Sequence, residues 1–123
     1  MITFDTGALI ALEGRNARML RVVGAAVQGD KRITVPTVVV AEWWRGRPSK
    51  RMAQLLANVE LEPLSARLAG IAGEALAAVR TATTIDAIVV ASAAQRGDAI
   101  FTADVEDLDR LARHFRGVRV LHT

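Results

Sequence analysis

Four acidic residues interrupt apolar stretches of this chain, a setting in which carboxylates could share a metal ion. Asp5 closes Ile2-Thr3-Phe4. Glu42 follows Val38-Val39-Val40-Ala41 and precedes Trp43-Trp44. Asp86 lies between Ile85 and Ala87-Ile88-Val89-Val90, and Asp104 follows Ala99-Ile100-Phe101-Thr102-Ala103. A carboxylate taken out of water costs several kcal/mol, comparable with the whole stability of a small domain, unless something compensates it. Four such residues predict one shared compensator, and a divalent cation is the simplest. All-oxygen ligation favours Mg²⁺ or Mn²⁺ over zinc. Such a site has no protein nucleophile, so its natural chemistry is attack on phosphorus by metal-activated water.

Each acid also has a plain structural use. Asp5 and Asp86 suit helix N-termini, where a side-chain oxygen meets free N–H groups. Glu42 suits the polar side of an amphipathic helix. Asp104 suits a strand-to-helix turn. What favours a site is the set of four, because converging carboxylates hold protons at neutral pH unless a cation sits among them.

The elements that must position them follow from punctuation and period. Ile2 to Phe4 reads as a short buried strand, and Asp5 or Thr6 caps a helix through Leu12. A helix over Ala17 to Gln28 stops at Gly29. Ile33 to Val35 is a strand, and Pro36 begins the helix that carries Glu42 and ends near Arg45-Gly46-Arg47-Pro48. Because Glu42 shares a helical face with Val38 and Val39, it is expected to look inward. Ser49 caps a helix to Ala57, and Val59 to Leu64 alternates like an exposed edge strand. Ser65 opens a helix to about Arg80, and Thr83-Thr84 one over Ile85 to Gln95. Ala99 to Thr102 is a buried strand, Val105 to Phe115 a helix, and Val118 to Leu121 a last strand.

Short apolar strands alternating with helices predict an α/β fold with a mainly parallel sheet covered on both faces. In such sheets ligands bind beyond the carboxyl ends of the strands, at the topological switch. Asp5 and Asp104 fall just past strand ends, and Asp86 in a first helical turn that points to the same edge.

Composition narrows the classes. With 123 residues, a single domain over 1–123 is expected. Apolar residues make up 51% and aromatics only 4%, so the core is aliphatic and disorder is excluded. No cysteine is present, which removes disulfides and thiolate sites and suits a reducing cytoplasm. The first residues lack the pattern of a signal peptide, and no membrane span is expected. The formal charge is +3, and arginine supplies most of the cations, with Lys31 and Lys50 the only lysines. Clustering the acids in one place leaves the remaining surface more basic than that total implies. His114 and His122 are far from the acids in sequence and lack metal-ligand spacing, so they read as surface residues. Gly70-Ile71-Ala72-Gly73 matches no phosphate loop and reads as a site of close helix packing.

These residues together resemble a PIN domain, and specifically the VapC toxins of bacterial toxin–antitoxin pairs. Asp5-Thr6-Gly7-Ala8-Leu9-Ile10-Ala11-Leu12 matches the family's first motif. Glu42 after an apolar helix, Ile85-Asp86-Ala87, and Thr102-Ala103-Asp104 with Asp107-Leu108 match the others in order, across essentially the whole chain. The resemblance implies a PIN-like three-layer fold and a Mg²⁺- or Mn²⁺-dependent endoribonuclease, restrained by a cognate antitoxin and usually a homodimer. It gives Asp5, Glu42, Asp86 and Asp104 the acidic catalytic and metal-binding roles. Thr102 matches a hydroxyl that helps arrange the acids, and Asp107 a further acidic position. Gly7 departs from the pattern, standing where many relatives have serine or asparagine.

Arg45, Arg47, Lys50 and Arg51 around the helix break are candidates for an RNA backbone path or, equally, a solvated loop. Trp43 and Trp44 are candidates for base stacking, core packing or an interface. A catalytically silent PIN scaffold that binds protein or RNA is the rival reading. A receiver-like phosphoacceptor domain is rejected, because Asp5 stands without a paired acid and no lysine follows the last strands.

Overall fold

The computed structural model describes residues 1–123. Its elements are β1 (Ile2–Phe4), α1 (Thr6–Glu13), α2 (Ala17–Gln28), β2 (Ile33–Pro36), α3 (Thr37–Trp44), α4 (Lys50–Ala57), β3 (Glu60–Glu62), α5 (Ala66–Ala78), α6 (Thr84–Arg96), β4 (Ala99–Thr102), α7 (Val105–Ala112) and β5 (Arg119–His122). The five strands form one sheet in the order β3-β2-β1-β4-β5, and every pairing is parallel. The expected α/β fold is thus present, with the sheet wholly rather than mainly parallel.

Helix starts are set by side chains that accept from free N–H groups. Asp5, Asn16, Ser49, Ser65 and Thr83 each take a hydrogen bond from a backbone N–H three residues on, as N-caps do. Pro36 differs from expectation: it is the last residue of β2 and the cap of α3, held extended at φ −61° and ψ 140°, so the helix proper begins at Thr37. Helix α7 ends at Ala112, short of Phe115, because His114 and Phe115 donate to carbonyls only three residues back and tighten the chain into turns.

The core is aliphatic, as the composition requires. Val35, Val39, Leu9, Leu68, Ile100 and Leu108 are fully buried, and Phe4 meets Phe101 edge to face at 6.2 Å across the β1–β4 pair. Helices α1, α2 and α3 form one contacting group, with α1 against α2 and α3; α5, α6 and α7 form another around α6, which lies over β1, β2 and β4. In α6 every residue from Ala87 to Ala93 is buried, which explains the continuous apolar run. Gly70 and Gly73 in α5 are exposed, and a side chain at either would meet nothing within 4 Å. They are not the close-packing contacts their spacing predicts.

One polar cluster was invisible in the sequence. Asp98, buried at the foot of β4, accepts from Arg96 Nε at 2.9 Å, the Thr3 hydroxyl at 2.9 Å and the Met1 ammonium at 2.5 Å. Arg96 also bonds Glu62 at 2.7 Å, Thr3 at 3.0 Å and Ser92 at 3.0 Å. The cluster ties β1, β3, α6 and β4 together, and its members are drawn from four separate sequence segments.

Candidate active site

The sheet order reverses direction at β1 and β4: β1 leads on to β2 on one side, and β4 to β5 on the other. This is the switch point where the fold opens a crevice beyond the strand ends. Asp5 directly follows β1 and Asp104 follows β4 by two residues. The register pairs Phe4 with Phe101, and Asp5 N–H donates to the Phe101 carbonyl at 3.4 Å, so Asp5 stands beside the end of β4.

Asp5 is buried, and its Oδ1 accepts from Ala8 N–H at 2.8 Å as the cap of α1. The structural use and the site placement hold together. Burial raises its pKa above the ordinary 3.8; hydrogen bonding from Thr102 and Ala8 opposes that rise, and the Asp86 charge adds to it. Asp86, half-buried in the first turn of α6, also has a raised pKa. Burial is the main cause, the Thr83 hydroxyl opposes it, and the charges of Asp104, Asp107 and Glu42 reinforce it. Asp86 thus feels the charges of Asp104, Asp107 and Glu42, and Asp5 feels that of Asp86. Asp104 is exposed at the start of α7 and makes no cap bond there, which leaves its carboxylate available. Its pKa is raised, first by the close Asp107 carboxyl and then by burial.

Glu42 overturns the expectation that it faces inward. It is exposed, while Val39 and Trp43 on α3 take the buried positions. Its Oε1 accepts a hydrogen bond from the hydroxyl of Thr6, the first residue of α1, which fixes the carboxylate at the rim beside Asp5. The premise of four buried acids thus holds fully for Asp5, half for Asp86, and not for Glu42 or Asp104. Thr6 was missed, although it lies next to Asp5 in the first motif.

Thr102 is fully buried and accepts from Asp104 N–H at 2.9 Å, so one hydroxyl touches the backbone of one acid and the carboxylate of another. Asp107 is exposed and paired with Arg110 at 2.8 Å. Gly7 has a physical reason: a Cβ there would stand 2.9 Å from Ala103 Cβ, 3.0 Å from Ala103 N and 3.3 Å from Asp5 Oδ1. No serine or asparagine fits without moving the β4–α7 turn.

Of the basic residues, Arg51 is committed elsewhere. Its guanidinium donates to the carbonyls of Leu12 at 3.1 Å and Glu13 at 2.8 Å, closing the C-terminal end of α1. Lys50 is exposed at the start of α4. Arg45 and Arg47 line a cleft of about 350 Å³ together with Thr6, Ile10, Glu13, Glu42, Trp43, Trp44 and Pro48. A larger groove of about 660 Å³ lies away from the acids, walled by Leu20, Val23, Ala26 and Val27 of α2 and Leu55 of α4.

The donor set suits a hard divalent cation: carboxylates only, gathered at one sheet edge, with protonation favoured on three of them by burial and mutual repulsion. As the side chains stand, no three His, Cys, Asp or Glu residues form a ready ion cage. The acids ring the switch point without closing on one spot.

An all-parallel sheet with acids at its switch point and helices in two groups defines the class, an α/β fold with an acidic crevice beyond the strand ends. The model of the PIN domain matches residues 2–114, and the chain belongs to that family, a family of nucleases. Solved structures share the fold over nearly the full length. VapBC2 from Rickettsia felis, bound to a DNA fragment from its promoter, gives a TM-score of 0.77 at 12% identity, covering 100% of this chain and 99% of that one. DNA-bound VapBC from Salmonella typhimurium gives 0.73 at 14%, covering 98% and 96%. FitAcB from Neisseria gonorrhoeae gives 0.69 at 18%, covering 98% and 96%. No curated protein matches by sequence. No helix is long and apolar enough to cross a membrane.

Proposed function

We propose that this chain is a Mg²⁺- or Mn²⁺-dependent endoribonuclease, a single PIN domain acting in the cytoplasm as the toxin of a toxin–antitoxin pair. The observation that carries this reading is the placement of Asp5 and Asp104 just past the ends of the paired strands β1 and β4, with Asp86 in the first turn of α6. Asp5, Asp86 and Asp104 are the residues that would hold the cation. When bound, it supplies the charge that offsets these carboxylates and acidifies a water for attack on phosphorus. Thr102 orients Asp5 and the Asp104 backbone, and Thr6 orients Glu42, which stands at the rim as the acid free to accept a proton from water. The N-termini of α1, α6 and α7 face the same edge and favour a phosphate there.

The structural likeness to VapBC and FitAB complexes supports an antitoxin partner, and a homodimer is part of the same reading. The α2–α4 groove, with Leu20 and Val27 exposed, offers an apolar seat for such a partner. The test is cleavage of total RNA with Mg²⁺, Mn²⁺ or EDTA, comparing the protein with Asp5→Asn. Asparagine caps helices as well as aspartate, so the variant folds. Metal-dependent fragments absent in Asp5→Asn are expected. Equal cleavage by both proteins excludes the acidic site. A folded protein that neither cuts nor gains thermal stability from either cation favours the silent scaffold; at a hundred times Kd, bound metal adds about 2.7 kcal/mol.

A further inference from the structure

Trp43 and Trp44 are adjacent in sequence but differ in burial. Trp43 is buried in the core, at 6% exposure, and its ring meets that of Trp44 edge to face at 6.3 Å. Trp44 is 44% exposed and, of the Phe and Trp residues, the only one open to solvent to that degree. Braced from beneath, it presents an aromatic surface in the cleft that also holds Glu42 of the acidic site. Ile10, 57% exposed, and Pro48 complete the apolar walls.

The cations of this cleft lie just past Trp44. Arg45 adopts the left-handed conformation at φ 38°, which turns the chain out of α3 and folds its Nε onto the Glu42 carbonyl at 3.3 Å. The rest of that guanidinium, and that of Arg47, have no carboxylate partner. Glu42, the Trp44 ring and two arginines without carboxylate partners therefore line one cleft of about 350 Å³, which Glu13 also borders. That set of chemistries suits a stretch of nucleotide chain: a phosphate at the acidic site, the adjoining base on the ring, the next phosphate at the arginines.

Resting on the nuclease reading, we propose that Trp44 is a stacking platform for the unpaired base next to the scissile phosphate, with Arg45 and Arg47 holding the following phosphate. The occupant is single-stranded RNA, because a base must leave its stack to lie on the ring. Trp44 touches substrate without taking part in the chemical step, so its loss acts on KM more than on kcat.

The experiment uses the full chain carrying Asp5→Asn, to prevent cleavage, titrated with poly(U), poly(A) and an abasic ribose-phosphate polymer. Indole fluorescence and direct binding are read together, and thermal melting confirms that each variant folds. Quenching by the polymers with bases, not by the abasic one, is expected. Trp44→Ala weakens binding roughly ten- to hundredfold. Trp44→Phe keeps most of the binding but loses the quench, since the remaining indole is buried. In the cleaving protein Trp44→Ala raises KM with kcat little changed. If Asp5→Asn abolishes cleavage while Trp44→Ala binds and cuts like the parent, this inference is overturned and the nuclease reading stands. The inference is equally overturned if Trp44→Ala loses only a protein partner, which makes the cleft a protein interface. Absence of both cleavage and RNA binding in the parent overturns both readings.

Discussion

Replacing Gly7 by alanine tests whether the close approach of α1 to the β4–α7 turn is what excludes a side chain at that position. The new Cβ would lie 2.9 Å from Ala103 Cβ and 3.0 Å from Ala103 N. Carbon atoms pack comfortably at about 3.5–4.0 Å, so one element must yield by more than half an ångström. Neither neighbour is the end of a flexible side chain, and overpacking of this kind costs about 1–3 kcal/mol. Alanine also gains about 0.5–1 kcal/mol over glycine within a helix, which would mask part of that cost. Gly24→Ala is the matched control, since Gly24 lies within α2 and a Cβ there meets nothing within 4 Å. Helix preference cancels between the two variants, leaving a difference of about 1–3 kcal/mol. A chain of this length unfolds with an entropy near about 0.26 kcal/mol per degree, so Tm should fall roughly 4–12 °C below that of Gly24→Ala. Thermal unfolding by circular dichroism reads this directly. Cleavage should drop as well, because the strained contact adjoins both Asp5 Oδ1 and the residue before Asp104. Melting at the temperature of Gly24→Ala would refute the packing account of Gly7.

Two aspartates should respond oppositely to pH. Asp5 has a raised pKa, so the stability tied to its protonated form is complete below about pH 3.8 and lost as pH rises through the raised value. At neutral pH, without metal, Asp5→Asn should therefore raise Tm; a lower Tm in EDTA would contradict the assignment of burial as the cause. Asp98 has a lowered pKa: burial alone would raise it, but its bonds to the N-terminus, Arg96 and Thr3 prevail. Its contribution is present above about pH 3.8 and lost as pH falls through the lowered value, and Asp98→Asn should cost about 3 kcal/mol at pH 7 by leaving Arg96 poorly paired. A matching Tm for Asp98→Asn and the parent at pH 7 would show that the cluster is not stabilising. Thr6→Val should lower kcat roughly ten- to hundredfold with Tm nearly unchanged, and Thr6→Ser should restore it, because only a hydroxyl holds Glu42. Full activity in Thr6→Val would remove Glu42 from the chemistry.

Local chemistry made most of the elements legible in advance. Caps such as Ser49, Ser65 and Thr83 sit at their helix starts because they satisfy N–H groups a few residues away, a relation written in adjacent sequence. The apolar runs around Asp5, Asp86 and Asp104 marked the strands and the buried helix, and strand–helix alternation placed Asp5 and Asp104 at one edge. The orientation of Glu42 was not legible. Sharing a face with Val38 is a statement about α3 alone, whereas its exposure and its bond to Thr6 depend on where α1 packs.

The sequence by itself thus determined the α/β alternation, the aliphatic core and the order of the acidic motifs, since each depends on neighbours within a turn or two. Tertiary structure decided which acids lose water, why position 7 is glycine, and that Arg51 closes α1 while Arg45 and Arg47 stay unpaired. It also separated Trp43 from Trp44 and assembled Thr3, Glu62, Ser92, Arg96 and Asp98 into one cluster. Those outcomes depend on distances between segments that the parallel sheet brings together, and no pattern within a single segment encodes them.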